Sequence, residues 1–370
     1  MKKLLPLFIL LIPFISNAHG NLDEQRKIIF PNIPGYVTMK CDLHQHTVFS
    51  DGHVWPTVRV WEALKDNLDA IAVTEHLEYQ PYKDDIPHPD RNRAYEIETK
   101  AAENNDLIII NGSEITRDMP PGHSNAIFLN DANKLIIDDP MEVFKEAKRQ
   151  GAFVFWNHPN WVRQRKDGIA TLTNMHRELI KNGLLNGIEI VNDITYSDEA
   201  LQIALDNNLT LIGTSDIHGL VDWRYKIPEG GHRPVTLVFA KEKSKVGIKE
   251  GLENRRTVVY HNNILIGREE YLVPLVQSSI SIEKTGYKGE NLIFGVTLKN
   301  NSSCELILQN KSDFTFHNHS DLVNIKAQSS VELQVKTLEK LSKVPLKFEV
   351  LNGVTAPSVH PEIMLEINVK

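Results

Sequence analysis

From residue 38 to about residue 260 the chain moves between two hydrophobic patterns. Short apolar runs closed by turn residues recur as 38-TMKCDLH, 70-AIAVTEH, 107-LIIINGSE, 123-HSNAIFL, 152-AFVFWNH, 187-GIEIVN, 209-LTLIGTSD and 235-VTLVFA. Runs of this length predict strands. Many are separated by segments with apolar residues at helical spacing. Residues 56–67 place Val58, Trp61, Ala63 and Leu64 on one side, and 91–105, 141–150, 174–182 and 198–208 behave similarly. Pro56 and Pro140 fall where the first turn of a helix tolerates proline. Such alternation predicts a parallel sheet with helices outside it, and this many units favour a closed barrel over an open doubly wound sheet. No glycine-rich dinucleotide fingerprint follows the first run, which argues against a Rossmann fold.

The pattern changes near residue 265. Runs such as SISIEK, LIFGVTLKN, CELILQN, SSVELQVKTL, PLKFEVLNG and IMLEINVK alternate apolar and polar positions between Asn, Gly, Ser and Lys turns. They predict a small antiparallel β-sandwich over residues 269–370, following a barrel over residues 38–268. At the other end, Lys2 and Lys3 precede an apolar run from Leu4 to Ile15, and Ser16-Asn17-Ala18 supplies small residues. This predicts a secretory signal over residues 1–18, cleaved near Ala18, a lead-in over 19–37, and an exported protein, periplasmic or secreted. No other segment is long and apolar enough to span a membrane, so no membrane association is expected after cleavage.

Composition adds limits. At 370 residues with 41% hydrophobic content, the chain can bury a sizeable core. A net charge of -7 with no basic block disfavours nucleic acid as a partner. The two cysteines, Cys41 and Cys304, fall in different expected domains and read as buried free thiols.

The polar residues that close the apolar runs are unusual. His44 and His46 are two apart at the end of the first run, where side chains share a face, and Asp51 follows in the loop. His76 ends the second run, Glu114 the third and His158 the fifth, His123 opens the fourth, and Asp216 and His218 end the seventh. In a barrel of this kind the strand ends face one mouth. Six imidazoles and three carboxylates gathered there repel or desolvate one another unless cations sit between them. Mixed imidazole and carboxylate ligation without thiolate suits Mn, Fe or Zn.

With its His-x-His, downstream Asp, Glu-His, Glu, His, Asn-His-Pro and Asp-x-His elements in this order, the chain resembles the PHP superfamily, named for polymerase and histidinol phosphatase domains. The resemblance covers residues 38–260, and the leader, size and β-rich tail look most like the Sb-PDE phosphodiesterases. It implies a distorted (β/α)7 barrel holding two or three divalent ions. It also implies three ion sites: His44, His46, Glu114 and Asp216; Glu114 with His123 and His158; and Asp51, His76 and His218.

A metal cluster of this kind lowers the pKa of a bridging water and neutralises charge on a phosphoryl group during in-line attack. The expected activity is therefore hydrolysis of a small-molecule phosphate ester, a diester in preference to a monoester. The segment 229-EGGHRP-234 is expected to line the mouth, with Arg233 clamping a phosphate oxygen and His232 protonating the leaving alkoxide. Trp161 and Arg163 are placed to shape the pocket or pack at its rim. Two other readings compete: a nuclease on the same barrel, and a metal-dependent scaffold whose β domain docks a partner.

Overall fold

The structure, a computed structural model, describes residues 26–287 and 289–369. The leader expected over residues 1–18 lies outside the described residues. All eight apolar runs form strands: β1 (Val37–Asp42), β2 (Ala70–Val73), β3 (Ile108–Ile115), β4 (Ser124–Ile127), β5 (Phe153–Trp156), β6 (Gly187–Asn192), β8 (Thr210–Thr214) and β9 (Val235–Ala240). A short β7 (Thr195–Tyr196) and the pair β10 (Thr257–His261) and β11 (Ile264–Gly267) complete the barrel region.

The sheet is not all-parallel. β1, β2 and β3 run parallel, as do β5, β6 and β8. However, β4 is antiparallel to β3 and β5, and β9 is antiparallel to β1. Both reversed strands are buried at every position, so their sequences carry no alternation to betray direction. Six strands thus end at one mouth, and β4 begins there.

Closure of the barrel uses few ladder bonds. β8 pairs with β6 and is tied to β9 by Thr236, whose hydroxyl donates to the Gly213 carbonyl at 2.8 Å and accepts from its N–H at 2.9 Å. Just beyond the strands, the Asp216 N–H donates to the His44 carbonyl and the His46 N–H to the Ile217 carbonyl.

Helices α1 (Pro56–Lys65), α2 (Arg93–Ala101), α3 (Pro140–Arg149), α4 (Asn174–Lys181) and α5 (Asp198–Asp206) occupy the expected segments. Helix α1 faces inward differently from the expected side. Its packed stripe is Pro56, Arg59, Val60 and Ala63, while Trp61 is 57% exposed. A short α6 (Val221–Arg224), then α7 (Lys245–Glu253) and α8 (Glu269–Ser279), follow. Among the described residues no helix is long and apolar enough to cross a membrane.

After α8 come β12 (Ile280–Tyr287), β13 (Ile293–Asn300), β14 (Leu306–Asn310), β15 (Leu322–Ile325), β16 (Ser330–Lys336), β17 (Lys343–Val350), β18 (Gly353–Val354) and β19 (Glu362–Asn368). They form two antiparallel sheets, β12-β13-β16 and β15-β14-β17-β19, whose strands alternate buried and exposed positions as a sandwich requires. β18 leaves the sandwich and pairs with β11 on the barrel sheet. Cys41 and Cys304 are both buried free thiols.

Candidate metal centre

The nine expected ligands sit where the chain enters or leaves the barrel mouth. His44 and His46 follow β1, His76 follows β2, Glu114 lies near the end of β3, His123 precedes β4, His158 follows β5, and Asp216 and His218 follow β8. Asp51 is brought in by a tight loop in which the Gly52 N–H donates to the Thr47 carbonyl at 2.9 Å. A β-carbon on Gly52 would lie 2.6 Å from the His46 carbonyl, so this return of the chain needs glycine.

The side chains converge. His44 Nε2 and His46 Nε2 are 3.0 Å apart, and Asp216 Oδ1 lies 3.2 and 3.1 Å from them. Glu114 is central: its carboxylate oxygens lie 3.6 Å from His44 and from His46, 3.1 Å from His123 and 3.3 Å from His158. Asp51 Oδ1 lies 3.4 Å from His76 Nε2 and 3.1 Å from His218 Nε2. Three groups each bring their ligand atoms within 4.8 Å of one another: His46, Asp51, His76 and His218; His44, His46 and Glu114; and His76, Glu114 and His123. His46 and His76 thus each stand between two groups rather than in one.

The donor set fits divalent cations on a further count. Asp51 Oδ1 and Asp216 Oδ1 are buried and, although imidazole nitrogens lie 3.1–3.4 Å away, accept no hydrogen bond of proper geometry. Neither does Glu114 Oε2, although His76 Nδ1 lies 2.6 Å from it, because the contact lacks hydrogen-bond geometry. Buried carboxylate oxygens without donors are costly and ask for a cation. Protonation follows the same logic. Burial, and then His218 and His76, pull His46 down to about 3. Burial also opposes charge on His76, yet Glu114 and Asp51 push it up to about 10. His218 rises to about 9 against the same cost because Asp51 and Asp216 face it. Despite burial, His76, His123 and His44 hold the Glu114 carboxyl well below the usual range. The carboxylates therefore favour positive charge at the centre, which protons or divalent ions can supply.

A second layer of groups fixes the first. Glu189 on β6 accepts from His44 Nδ1 at 2.8 Å, Thr214 Oγ1 at 2.6 Å, the His158 N–H at 2.7 Å and Asn192 Nδ2 at 2.9 Å. The first of these leaves His44 Nε2 facing the cluster. Asn157 Nδ2 donates to Glu114 at 2.8 Å, and Asn192 Nδ2 to Asp216 at 3.2 Å. Buried Glu75 takes the Thr47 N–H, the Thr47 hydroxyl and the Ser50 hydroxyl, pinning the loop before Asp51. Arg59 is fully buried and donates to the carbonyls of His46, Ile217, His218 and Gly219 and to Glu62, which joins the two ligand-bearing loops. His158 (φ 29°) and Asp216 (φ 47°) hold left-handed backbone that non-glycine residues seldom adopt, a strain their surroundings must enforce.

The cluster forms the floor of a cleft of about 820 Å³, whose walls include Tyr79, Thr116, Trp161, Val162, Arg163, Asn192 and Asp193.

Comparison with known proteins agrees with this geometry. An Ig-like domain model matches residues 280–366. The chain is 37% identical over 239 residues to an uncharacterised protein of Methanocaldococcus jannaschii, covering 62% of this chain and 100% of that one. It is 41% identical to a two-domain protein of Bacteroides vulgatus that contains a predicted PHP-like metal-dependent phosphoesterase. That match has a TM-score of 0.85 and covers 92% of this chain and 98% of the other. The chain belongs to the PHP-like metal-dependent phosphoesterase family.

In this PHP-like chain the 229–234 segment does not supply the helpers expected of it. Arg233 is fully buried, donating to Asp66 at 2.8 Å and to Asp42 at 3.1 Å, and lines no part of the cleft. Its charge is committed to two buried carboxylates, so it is a structural ion pair rather than a phosphate clamp. His232 lies flat on Tyr260, 3.9 Å between ring centroids, in a separate cavity beside the C-terminal strands. Burial pulls it down to about 4. Neither side chain reaches the PHP-like cluster. His53 is exposed, as are His317 and His319 in the tail.

Sequence reasoning missed Glu189 and Arg59. Each left a signal. Glu189 is the one charged residue within 187-GIEIVN, and Arg59 interrupts the i, i+3, i+4, i+7 stripe of α1. A charge in a buried strand or stripe requires partners.

Proposed function

We propose that this protein is an exported, metal-dependent phosphodiesterase whose nine converging side chains hold two or three divalent ions. Three buried carboxylate oxygens that face imidazole nitrogens without accepting a hydrogen bond, delivered by separate loops and strands to one centre at the floor of a cleft, carry this reading. His44, His46, Glu114 and Asp216 would share one ion, Glu114, His123 and His158 a second, and Asp51, His76 and His218 a third, with Mn, Fe or Zn suited to the donors. Such ions supply Lewis acidity toward water and phosphoryl oxygens.

The chain's own residues do the positioning. Glu189 orients His44, and Asn157 and Asn192 fix one oxygen each of Glu114 and Asp216. The cleft volume suits an organic ester rather than bare phosphate. Among the described residues Arg163 is the only lysine or arginine lining it, which supports a singly charged diester over a doubly charged monoester.

Elemental analysis of the purified chain should find at least two divalent ions, and chelation should abolish turnover that Mn restores. Bis-p-nitrophenyl phosphate should then turn over faster than p-nitrophenyl phosphate. Protein that carries no metal and gains no activity from any divalent ion would defeat the proposal. Export is tested separately, by sequencing the N-terminus of cell-released protein, expected to begin after Ala18.

A further inference from the structure

The walls of the cleft are less polar than its floor. Trp161 stands directly above the cluster, its ring centroid 5.0 Å from that of His158 and 5.6 Å from that of His123. Tyr79 stands at another side, 5.8 Å from His76, and is 52% exposed. Val162, next to Trp161, is 64% exposed. Large apolar side chains held this open to water, around a site that binds a small molecule, are the usual lining of an organic ligand's pocket.

Charge narrows the ligand further. Among the described residues, Arg163 is the one lysine or arginine of the lining, with its guanidinium carbon 5.7 Å from the Trp161 ring centroid. The wall carboxylate of Asp193 is already paired with Arg224. Away from the cluster, the walls thus offer a single arginine, whereas a polyphosphate or oligonucleotide arm brings further negative charge that calls for further cations. The Trp161 backbone is also tied down. The Trp161 backbone N–H donates to the His158 carbonyl, and the Arg165 backbone N–H to the Trp161 carbonyl, so the backbone that carries the ring is held relative to the cluster.

We infer that the cleft walls, with Trp161 and Val162 on one side and Tyr79 on another, form a subsite for a flat, uncharged aromatic arm of a phosphodiester. This rests on the phosphodiesterase reading above. The arm that stays on the phosphoryl group packs against the wall while the phosphoryl group lies over the cluster. No bond other than the scissile ester changes.

The test uses the full, Mn-loaded chain and esters that share the p-nitrophenolate leaving group: methyl p-nitrophenyl phosphate, phenyl p-nitrophenyl phosphate, and an analogue whose second arm carries an additional phosphate. Because the leaving group is common, ratios of kcat/KM report the arm alone. The phenyl ester should exceed the methyl ester by roughly tenfold, the size of one ring-stacking contact. Trp161→Ala, and separately Tyr79→Ala, should bring that ratio toward unity. The ratio cancels any general loss from a disturbed His158 loop. A phenyl preference that is absent, that survives both substitutions, or that is matched by the additional phosphate overturns the inference. Turnover of the methyl ester without aryl preference defeats the subsite alone, whereas no turnover of any ester defeats the phosphodiesterase reading and the subsite with it.

Discussion

Glu189 accepts four hydrogen bonds, two on each carboxylate oxygen, from groups that include the first imidazole of the cluster and the backbone of another ligand loop. Glutamine at this position keeps the shape but replaces one acceptor oxygen with a donor, so two donors would face an amide N–H. Glu189→Gln should therefore weaken metal binding by about 10–100-fold, measured by competition with a chelator. Unchanged affinity would show that His44 needs no such support. Glu98 on α2 makes a second prediction. Its carboxyl is buried, with Oε2 lacking a partner, and burial followed by the nearby Glu75 raises it well above the ordinary range, Arg59 opposing. A raised carboxyl holds its proton in the folded state, so its contribution is harmless at low pH and becomes a penalty as pH rises through the interval between unfolded and folded pKa. Glu98→Gln removes that penalty. It should stabilise the protein little near about pH 4 and progressively more above it, followed by urea midpoint at several pH values. A pH-independent difference would contradict the assignment. At this scale the nine cluster residues were legible because each ends or opens an apolar run or lies in the loop just beyond it. Arg59, Glu189 and the ion pair of Arg233 were not, because their partners are carbonyls and carboxylates from distant segments that only the folded chain assembles.

Elements were legible in place but not in direction. The apolar runs locate all eight strands, yet β4 and β9 run opposite to the others, since a strand buried on both faces looks alike read either way. The closure of the barrel was hidden for a related reason. Gly213 on β8 is tied to β9 by a side chain, with the Thr236 hydroxyl both donating to it and accepting from it. A threonine within 235-VTLVFA reads as an ordinary strand residue. Thr236→Val keeps the shape and leaves the Gly213 N–H and carbonyl without this partner in a buried setting. It should cost about 1–3 kcal/mol, measured by chemical denaturation, while Thr236→Ser should recover most of the loss. Equal stability of the valine variant would mean that packing alone holds β8 against β9.

The two parts of the molecule share one core. A single cluster of buried side chains runs from Val60, Ile71 and Val235 in the barrel, through Leu272, Leu275 and Val276 of α8, to Phe294, Leu298 and Leu346 in the sandwich. Polar ties follow the same route. The Tyr260 hydroxyl donates to the Ser303 carbonyl at 2.9 Å, Asn352 Nδ2 to the Asn263 carbonyl at 2.8 Å, and β18 extends the barrel sheet. An interface continuous with both cores leaves no weak plane at which one part can unfold alone. The tryptophans make this measurable. The chain has five, Trp55, Trp61, Trp156, Trp161 and Trp223, and all lie in the barrel region, so their fluorescence reports on that region only. Leu298 is fully buried on β13 in the sandwich. Leu298→Ala should destabilise its own surroundings by about 2–5 kcal/mol. If the shared core makes unfolding cooperative, the tryptophan transition in denaturant moves to lower concentration by the same free energy, and coincides with the transition seen by far-ultraviolet circular dichroism. A fluorescence midpoint that stays in place while the dichroism transition splits in two would mean that the sandwich melts on its own and the common core does not couple the parts.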